Sequence, residues 1–269
     1  ILFKFLKIFN NQIIIKTPHR LSEGYGPNTR IMEEFLNLRT NLIFTLDCGT
    51  SSFEIIDNIN YSSIDVIVID HHLSENSLPK VHSIINPNRY DENNTYTEMA
   101  AVGVTFLFIM ALRKHLRKQN FFNASIKEPN ILSLLDLVAL GTICDLVNLT
   151  SYNRIFVKEG LEIIKSRKNK VITKLLDNSN LKSTPTAIDL GYVIGPRINA
   201  GGRVGKCSHG ANLLLNSDAK QSFKLATELD SYNKERQLLE SNLLKNVLEK
   251  GIKNSNDPVL ILDGNNWHE

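Results

Sequence analysis

Residues 64–73 read Ile-Asp-Val-Ile-Val-Ile-Asp-His-His-Leu, and this stretch constrains the fold more than any other. Val66, Ile67, Val68 and Ile69 are apolar without alternation, the pattern of a strand covered on both faces in a parallel sheet flanked by helices. The strand runs straight into Asp70, His71 and His72, three consecutive side chains able to ligate metal. Packing has no use for a polar triplet there. The carboxyl end of a parallel strand is where α/β proteins place their chemistry. Taken alone, the triplet also reads as a solvated loop after a strand.

The geometry repeats elsewhere in the chain. Leu42-Ile43-Phe44-Thr45-Leu46 is a second apolar stretch ending in an acid, Asp47, and Cys48-Gly49-Thr50-Ser51-Ser52 then makes a small, flexible turn into a helix. A third acid, Asp145, lies in Gly141-Thr142-Ile143-Cys144-Asp145-Leu146-Val147, at the end of an apolar segment that begins near Ile131. A carboxylate among aliphatic neighbours is costly unless paired or metal-bound, so Asp145 asks for a cation. Carboxylates with one or two imidazoles form an oxygen and nitrogen site suited to Mn²⁺ or Mg²⁺.

Around these segments, helical and strand patterns alternate as in doubly wound α/β proteins. The pattern predicts a core-facing helix within Ile1–Phe9, a strand at Ile13–Ile15, helices over 30–38 and 51–58, and a short strand at Ser83–Ile85 closed by Asn86-Pro87. From Thr97 onward the character is helical. The apolar run Ala100–Leu112 is shorter than the roughly 20 residues of a membrane span and reads as a buried helix. Thr184-Pro185 reads as a cap and first-turn proline opening a helix toward Gly195-Pro196. Residues 219–250 read as a long exposed connector helix ending at Gly251, with 253–257 as a loop into a strand at Pro258–Leu262.

Composition agrees with a soluble enzyme core and adds little else. The 269 residues are 42% hydrophobic with a formal net charge of +3, so any attraction to phosphate must come from local basic groups. Cys48, Cys144 and Cys207 are odd in number and widely spaced, which fits a reducing compartment and small buried residues beside a site. His19, His82, His115 and His209 lack metal-ligand spacing and read as surface or packing residues, with His19 able to approach a substrate beside Arg20. In Gly195-Pro196-Arg197-Ile198-Asn199-Ala200-Gly201-Gly202-Arg203, Arg197 and Arg203 flank Asn199 with planar donors that fit a phosphate. The same segment also reads as a glycine-capped helix end with solvated arginines.

Five segments in order carry a resemblance: Pro18-His19-Arg20-Leu21-Ser22-Glu23-Gly24-Tyr25-Gly26, Thr45–Ser52, Val68–His72, Gly141–Asp145 with Asn153-Arg154, and Gly195–Arg203. The chain resembles the DHH phosphoesterase superfamily, and within it the RecJ-type single-stranded-DNA-specific exonucleases. The resemblance implies a DHH-type parallel sheet flanked by helices, then a helical part and a long connector helix. The implied boundaries are 1–216 for the phosphoesterase domain, 217–256 for connector and linker, and 257–269 for the start of a DHHA1-type domain. The family's first aspartate-rich motif is missing and the chain opens on Ile1, so the sequence reads as a fragment cut at both ends and inactive by itself.

The activity implied is metal-dependent 5′-to-3′ hydrolysis of single-stranded DNA in repair and recombination, in the cytoplasm, with a helicase or single-strand-binding protein as candidate partner. By the same likeness Asp47 bridges two Mn²⁺ or Mg²⁺ ions, His71 and Asp145 complete one site, His72 faces the phosphate and Asp70 orients the imidazoles. Arg20 and Arg203, with Arg197 and Asn199, would take the 5′-terminal phosphate. Two alternatives stay open: a nanoRNase, oligoribonuclease-type or pyrophosphatase relative acting on a smaller substrate, and a non-catalytic DHH-fold protein that binds DNA.

Overall fold

A computed structural model describes residues 1–9, 12–58, 64–93, 95–179, 181, 183–203, 206–216 and 218–250. Among these residues, three parallel strands form one sheet: β1 (Leu42–Leu46), β2 (Asp65–Ile69) and β3 (Ser83–Ile85), with β2 in the centre. Leu42 pairs with Asp65 and Leu46 with Ile69, while Ile69 also aligns with Ile85. Val66, Val68 and Ile69 are buried, as an unalternating strand requires. Hydrogen bonding continues one residue past each strand. The Asp47 N–H donates to the Ile69 carbonyl at 2.9 Å and the Asp70 N–H to the Ile85 carbonyl at 3.1 Å. Both acids therefore sit at the same, carboxyl end of the sheet.

Helices cover both faces. On one, α3 (Thr29–Asn37) and α4 (Phe53–Asn58) contribute Met32 and Ile56 to a cluster with Ile43, Val66 and Val68. On the other, α1 (Leu2–Leu6) and α5 (Ala101–Lys118) contribute Leu2, Phe5, Val104, Phe106 and Ile109, packed with Ile69. The short α2 (Arg20–Glu23) stands between α1 and α3 in the chain. Next, α6 (Leu135–Cys144) is buried all round: Leu135 and Val138 join the sheet-side cluster, Leu137, Ala139 and Leu140 a second, helical one. Helices that are apolar on every face are interior helices. That helical cluster is completed by α7 (Ser151–Lys165), α8 (Lys170–Asn178), α11 (Ser208–Leu215) and the first half of α12 (Ala219–Lys250). No helix among the described residues is long and apolar enough to cross a membrane.

Four details differ from the sequence expectations. Ile13–Ile15 forms no strand, and Ile14 and Ile15 are exposed, because a β-prone triplet gains nothing without a neighbouring strand. The helix expected from Thr184-Pro185 starts instead after Thr186, whose hydroxyl and the Asp189 carboxylate form a reciprocal capping box. It also does not stop at Gly195-Pro196. After α9 (Ala187–Asp189) the chain makes a π-helical turn, Leu190–Ile194, and continues as α10 (Gly195–Arg203). The wider turn accommodates Pro196, which lacks an N–H and would clash with the preceding turn of a regular helix. Finally, the connector is exposed only in its second half. Leu225, Ala226 and Leu229 of α12 are core residues, whereas Leu238, Leu239 and Leu244 are exposed. The expected end of that helix at Gly251, the strand at Pro258–Leu262 and the segment 257–269 lie outside the described residues.

The α6–α7 contact positions Asp145 and leaves no room for a side chain at Gly160. A Cβ there would lie 2.3 Å from the Leu135 carbonyl oxygen and 2.4 Å from the Ala139 Cβ. Gly160→Ala is therefore expected to cost about 1–3 kcal/mol by overpacking. Lys158→Ala, on the exposed side of α7, should stay within about 0.5 kcal/mol of wild type. Urea unfolding of both variants measures this, and a Gly160→Ala chain as stable as wild type would refute the contact.

Candidate metal centre

The turn after β1 is tight because two residues adopt left-handed backbone. Asp47 has φ +62°, a conformation that Asp tolerates better than most residues, and Gly49 has φ +113°. Glycine is required at 49 on a second ground: a Cβ would lie 2.6 Å from the Thr45 hydroxyl oxygen. This turn aims the Thr50 N–H at Asp70.

Asp70 is the hub of the sheet end. Its side chain is 2% exposed and accepts four hydrogen bonds: from Thr50 N–H (3.1 Å), His71 N–H (2.8 Å), His72 N–H (3.4 Å) and His72 Nδ1 (2.7 Å). Burial pushes its pKa up, but the hydrogen bonds from His72, Thr50 and His71 outweigh burial and hold it below the ordinary carboxylate range. The Nδ1 bond fixes the His72 ring, leaving Nε2 to face outward from a side chain that is 60% exposed.

Two asparagines that sequence reasoning passed over as a strand ending hold the loop from behind. Asn86 donates to the Thr50 hydroxyl and the His72 carbonyl; Asn88 donates to the His71 carbonyl at 2.5 Å and the Thr97 carbonyl at 2.9 Å. The available signal was Asn-Pro-Asn just beyond a β-strand on the functional sheet end.

His71 Nε2 points between two acids, 3.3 Å from Asp47 Oδ1 and 3.4 Å from Asp145 Oδ2. Neither approach is aligned as a hydrogen bond, and the buried atom has no hydrogen-bond partner among the described residues. Asp47 first, then Asp145, raises the imidazole pKa against the opposing effect of burial; burial likewise pushes the Asp145 carboxyl up. One ligand atom each from Asp47, His71 and His72 falls within a 4.8 Å cluster, and Asp145 joins it through His71. An orphaned ring nitrogen facing two carboxylates fits a divalent cation, which would satisfy all three groups together. Asp145 differs from its sequence reading: it caps the C-terminus of α6 and is 30% exposed, at the rim. Burial, with Asp70 and Asp47 nearby, pushes the Cys48 thiol to about 12. Cys144 is exposed, against the expectation of a buried residue.

The arginine-bearing segments meet beside this centre. Gly26 packs on the turn after Asp47, where a Cβ would lie 3.8 Å from the Cys48 Cβ. Arg20 donates its N–H to Cys207 Sγ at 3.2 Å, stacks its guanidinium 4.7 Å from the Tyr25 ring, and runs alongside Gly202 and, through it, Asn199. At its other end α10 abuts α6, with Gly195 against Cys144. Thus α10 bridges Asp145 to Arg20, and Gly195 to Gly202 is roughly 10 Å along a helix. Arg203 closes the same helix, with a partner of its own. Arg197 does not join them: its guanidinium donates to Asp230 at 2.9 Å and to the Val193 carbonyl at 2.7 Å, clamping α10 to α12. Of the other histidines, His19 Nδ1 meets the Ser22 hydroxyl, and His82 and His209 face Asp65 and Glu228.

A parallel sheet delivers Asp47, Asp70, His71 and His72 to one end, with Asp145 at the rim beside His71. The family description "DHH family, N-terminal domain" matches residues 1–142, and the chain belongs to that family. Within it the chain is of the RecJ type. It is 37% identical over 260 residues to the single-stranded-DNA-specific exonuclease RecJ of Dickeya dadantii, covering 94% of this chain and 45% of the relative. Identity is 39% over 229 residues with the RecJ of Escherichia coli, covering 84% and 40%. The crystal structure of exonuclease RecJ bound to manganese superposes with a TM-score of 0.79 at 30% identity, over 93% of this chain and 60% of that one. RecJ of Thermus thermophilus with Mn²⁺ gives 0.75 at 28% identity, over 94% and 35%. The chain spans less than half the length of these curated relatives.

Asp70→Asn keeps one acceptor oxygen and sets an NH2 donor against N–H groups that bonded the other oxygen. The expected loss is about 1.5–3 kcal/mol near pH 7. Because the folded pKa lies below the unfolded one, the wild-type advantage is present above the ordinary value and fades as pH falls below about 4. Stability curves at several pH values check this; a constant gap between variant and wild type at all pH values contradicts it.

Proposed function

We propose that the protein is a metal-dependent, single-stranded-DNA-specific exonuclease that works from the 5′ end. The observation that carries this reading is His71 Nε2, buried between Asp47 and Asp145 with no hydrogen-bond partner among the described residues. These three residues would hold divalent metal, Mn²⁺ or Mg²⁺, and Asp47 would in addition serve a second ion. The metal supplies an activated water and neutralises charge on the attacked phosphate. Asp70 keeps His72 in one orientation, so that Nε2 faces an incoming phosphate.

Single-stranded DNA is the substrate class that the similar RecJ proteins are named for. Arg20 and Arg203, with Asn199 between them, form the proposed seat for the terminal phosphate, because a charge-assisted arginine contact positions the strand while carrying no sequence information. The α10 helix fixes that seat relative to Asp145. Arg197 is reassigned from phosphate to the clamp on Asp230. The setting proposed is DNA repair and recombination in the cytoplasm, with a helicase or single-strand-binding protein presenting the strand.

The assay belongs to a protein of the length its relatives have, since Asp47, His71 and Asp145 alone support one ion. His71→Ala and Asp145→Ala should each lower DNA digestion in Mn²⁺ by about 100-fold or more, with circular dichroism unchanged. Turnover near wild type in either variant would end the metal assignment. Arg20→Ala and Arg203→Ala should each lose about 1.5–3 kcal/mol in kcat/KM on 5′-phosphorylated oligonucleotides and little on 5′-hydroxyl ones. Equal slowing of both substrates would return these arginines to general strand binding.

A further inference from the structure

Asp145 stands at the start of a turn that is strained twice. Leu146 has φ +58° and is 85% exposed, and Ser151, which opens α7, has φ +40°. Neither is glycine, and such backbone persists only where its surroundings over-determine it. Apolar burial is not the cause, because Asn148, Leu149 and Thr150 are all exposed. Polar ties to one neighbouring residue do the holding.

That residue is Glu98. Its carboxylate accepts from Asn148 Nδ2 at 3.0 Å and from the Thr150 hydroxyl. Its carbonyl accepts from Asn153 Nδ2 at 2.7 Å, and the same amide donates to the Asn148 carbonyl at 2.9 Å, closing the loop onto α7. Tyr96 stacks on Tyr152 with ring centroids 5.2 Å apart, joining the same two segments. On its other side the Glu98 segment is tied to the histidine loop, since Asn88 bonds both the Thr97 carbonyl and the His71 carbonyl. Glu98 is thus where the support of His71 meets the support of Asp145. Two hydrogen bonds to a carboxylate are strong for an exposed group, and they hold its pKa below the usual range, the Thr150 bond first.

We propose that Glu98 is a positioning residue of the metal centre, fixing the Asp145 loop at its distance from His71, an inference that rests on the metal reading of Asp47, His71 and Asp145. Glu98 touches neither metal nor substrate. Removing its side chain leaves the strained turn free to relax, and the Asp145 carboxylate then loses its place opposite His71 Nε2.

The test is a titration of Mn²⁺ alone into the chain, followed by the electron paramagnetic resonance signal of the free ion, with Asp47→Ala as the reference. Asp47→Ala is expected to abolish tight binding and Glu98→Ala to weaken it about 10-fold, the low end for residues that support ligands. Glu98→Gln, which keeps one acceptor oxygen for Asn148 Nδ2 and offers an NH2 that can donate to the Thr150 hydroxyl oxygen, should bind more tightly than Glu98→Ala. An added fold-stabilising role alone would lower the thermal midpoint without moving affinity. Wild-type affinity in Glu98→Ala, with binding lost in Asp47→Ala, overturns the Glu98 proposal and leaves the metal reading standing. Wild-type affinity in Asp47→Ala overturns both. If Glu98→Ala does not fold, Asn148→Ala with Thr150→Val severs the same bonds from the far side, and an unchanged affinity there overturns the proposal.

Discussion

The buried Asp70 carboxylate, with its four donors, is the interaction on which the rest of the site depends. A charge placed at the end of an apolar strand is stable only when its hydrogen-bonding capacity is filled. Filling it ties the turn after β1, through Thr50, to the loop after β2, through His71 and His72. The energetic demand of one buried anion thereby becomes the geometry of the centre. Asp47 and His71 face each other because the segments carrying them are pinned to the same carboxylate.

The other side of the mouth is built by a different kind of force. Asp145 arrives on α6, whose burial on every side follows from Leu135 to Leu140 packing into two clusters. Close packing sets the height of that helix, since α7 approaches it through Gly160 without an intervening side chain. From there α10 carries the arrangement outward, touching Cys144 at Gly195 and Arg20 at Gly202. The Arg197–Asp230 pair then fixes α10 against α12, so the seat proposed for phosphate is braced by the helical half of the molecule.

Much of the fold was legible because β2 carries its message locally. An unalternating run such as Val66–Ile69 states burial on both faces, and the polar triplet after it states the functional end. What failed was any inference that needed a partner elsewhere. Ile13–Ile15 has the composition of a strand and, among the described residues, no strand pairs with it. Arg197 has the chemistry of a phosphate ligand, and an acid 33 residues away in the chain claims it. Asp145 reads as a buried charge within an apolar run, yet it lies where the helix ends and the rim begins.

By itself, the sequence determined the class of sheet, the end of it that bears chemistry, and the residue types that can hold a divalent cation. Those properties follow from periodicity and side-chain chemistry within a few residues of each other. Only the tertiary structure decided which acids face His71, that Asp230 pairs with Arg197, that Asn86 and Asn88 hold the histidine loop, and that Glu98 bonds the loop after Asp145. Those depend on distances between segments far apart in the chain, and such distances are set by the packing of α6 against α7 and of α10 against α2, α11 and α12.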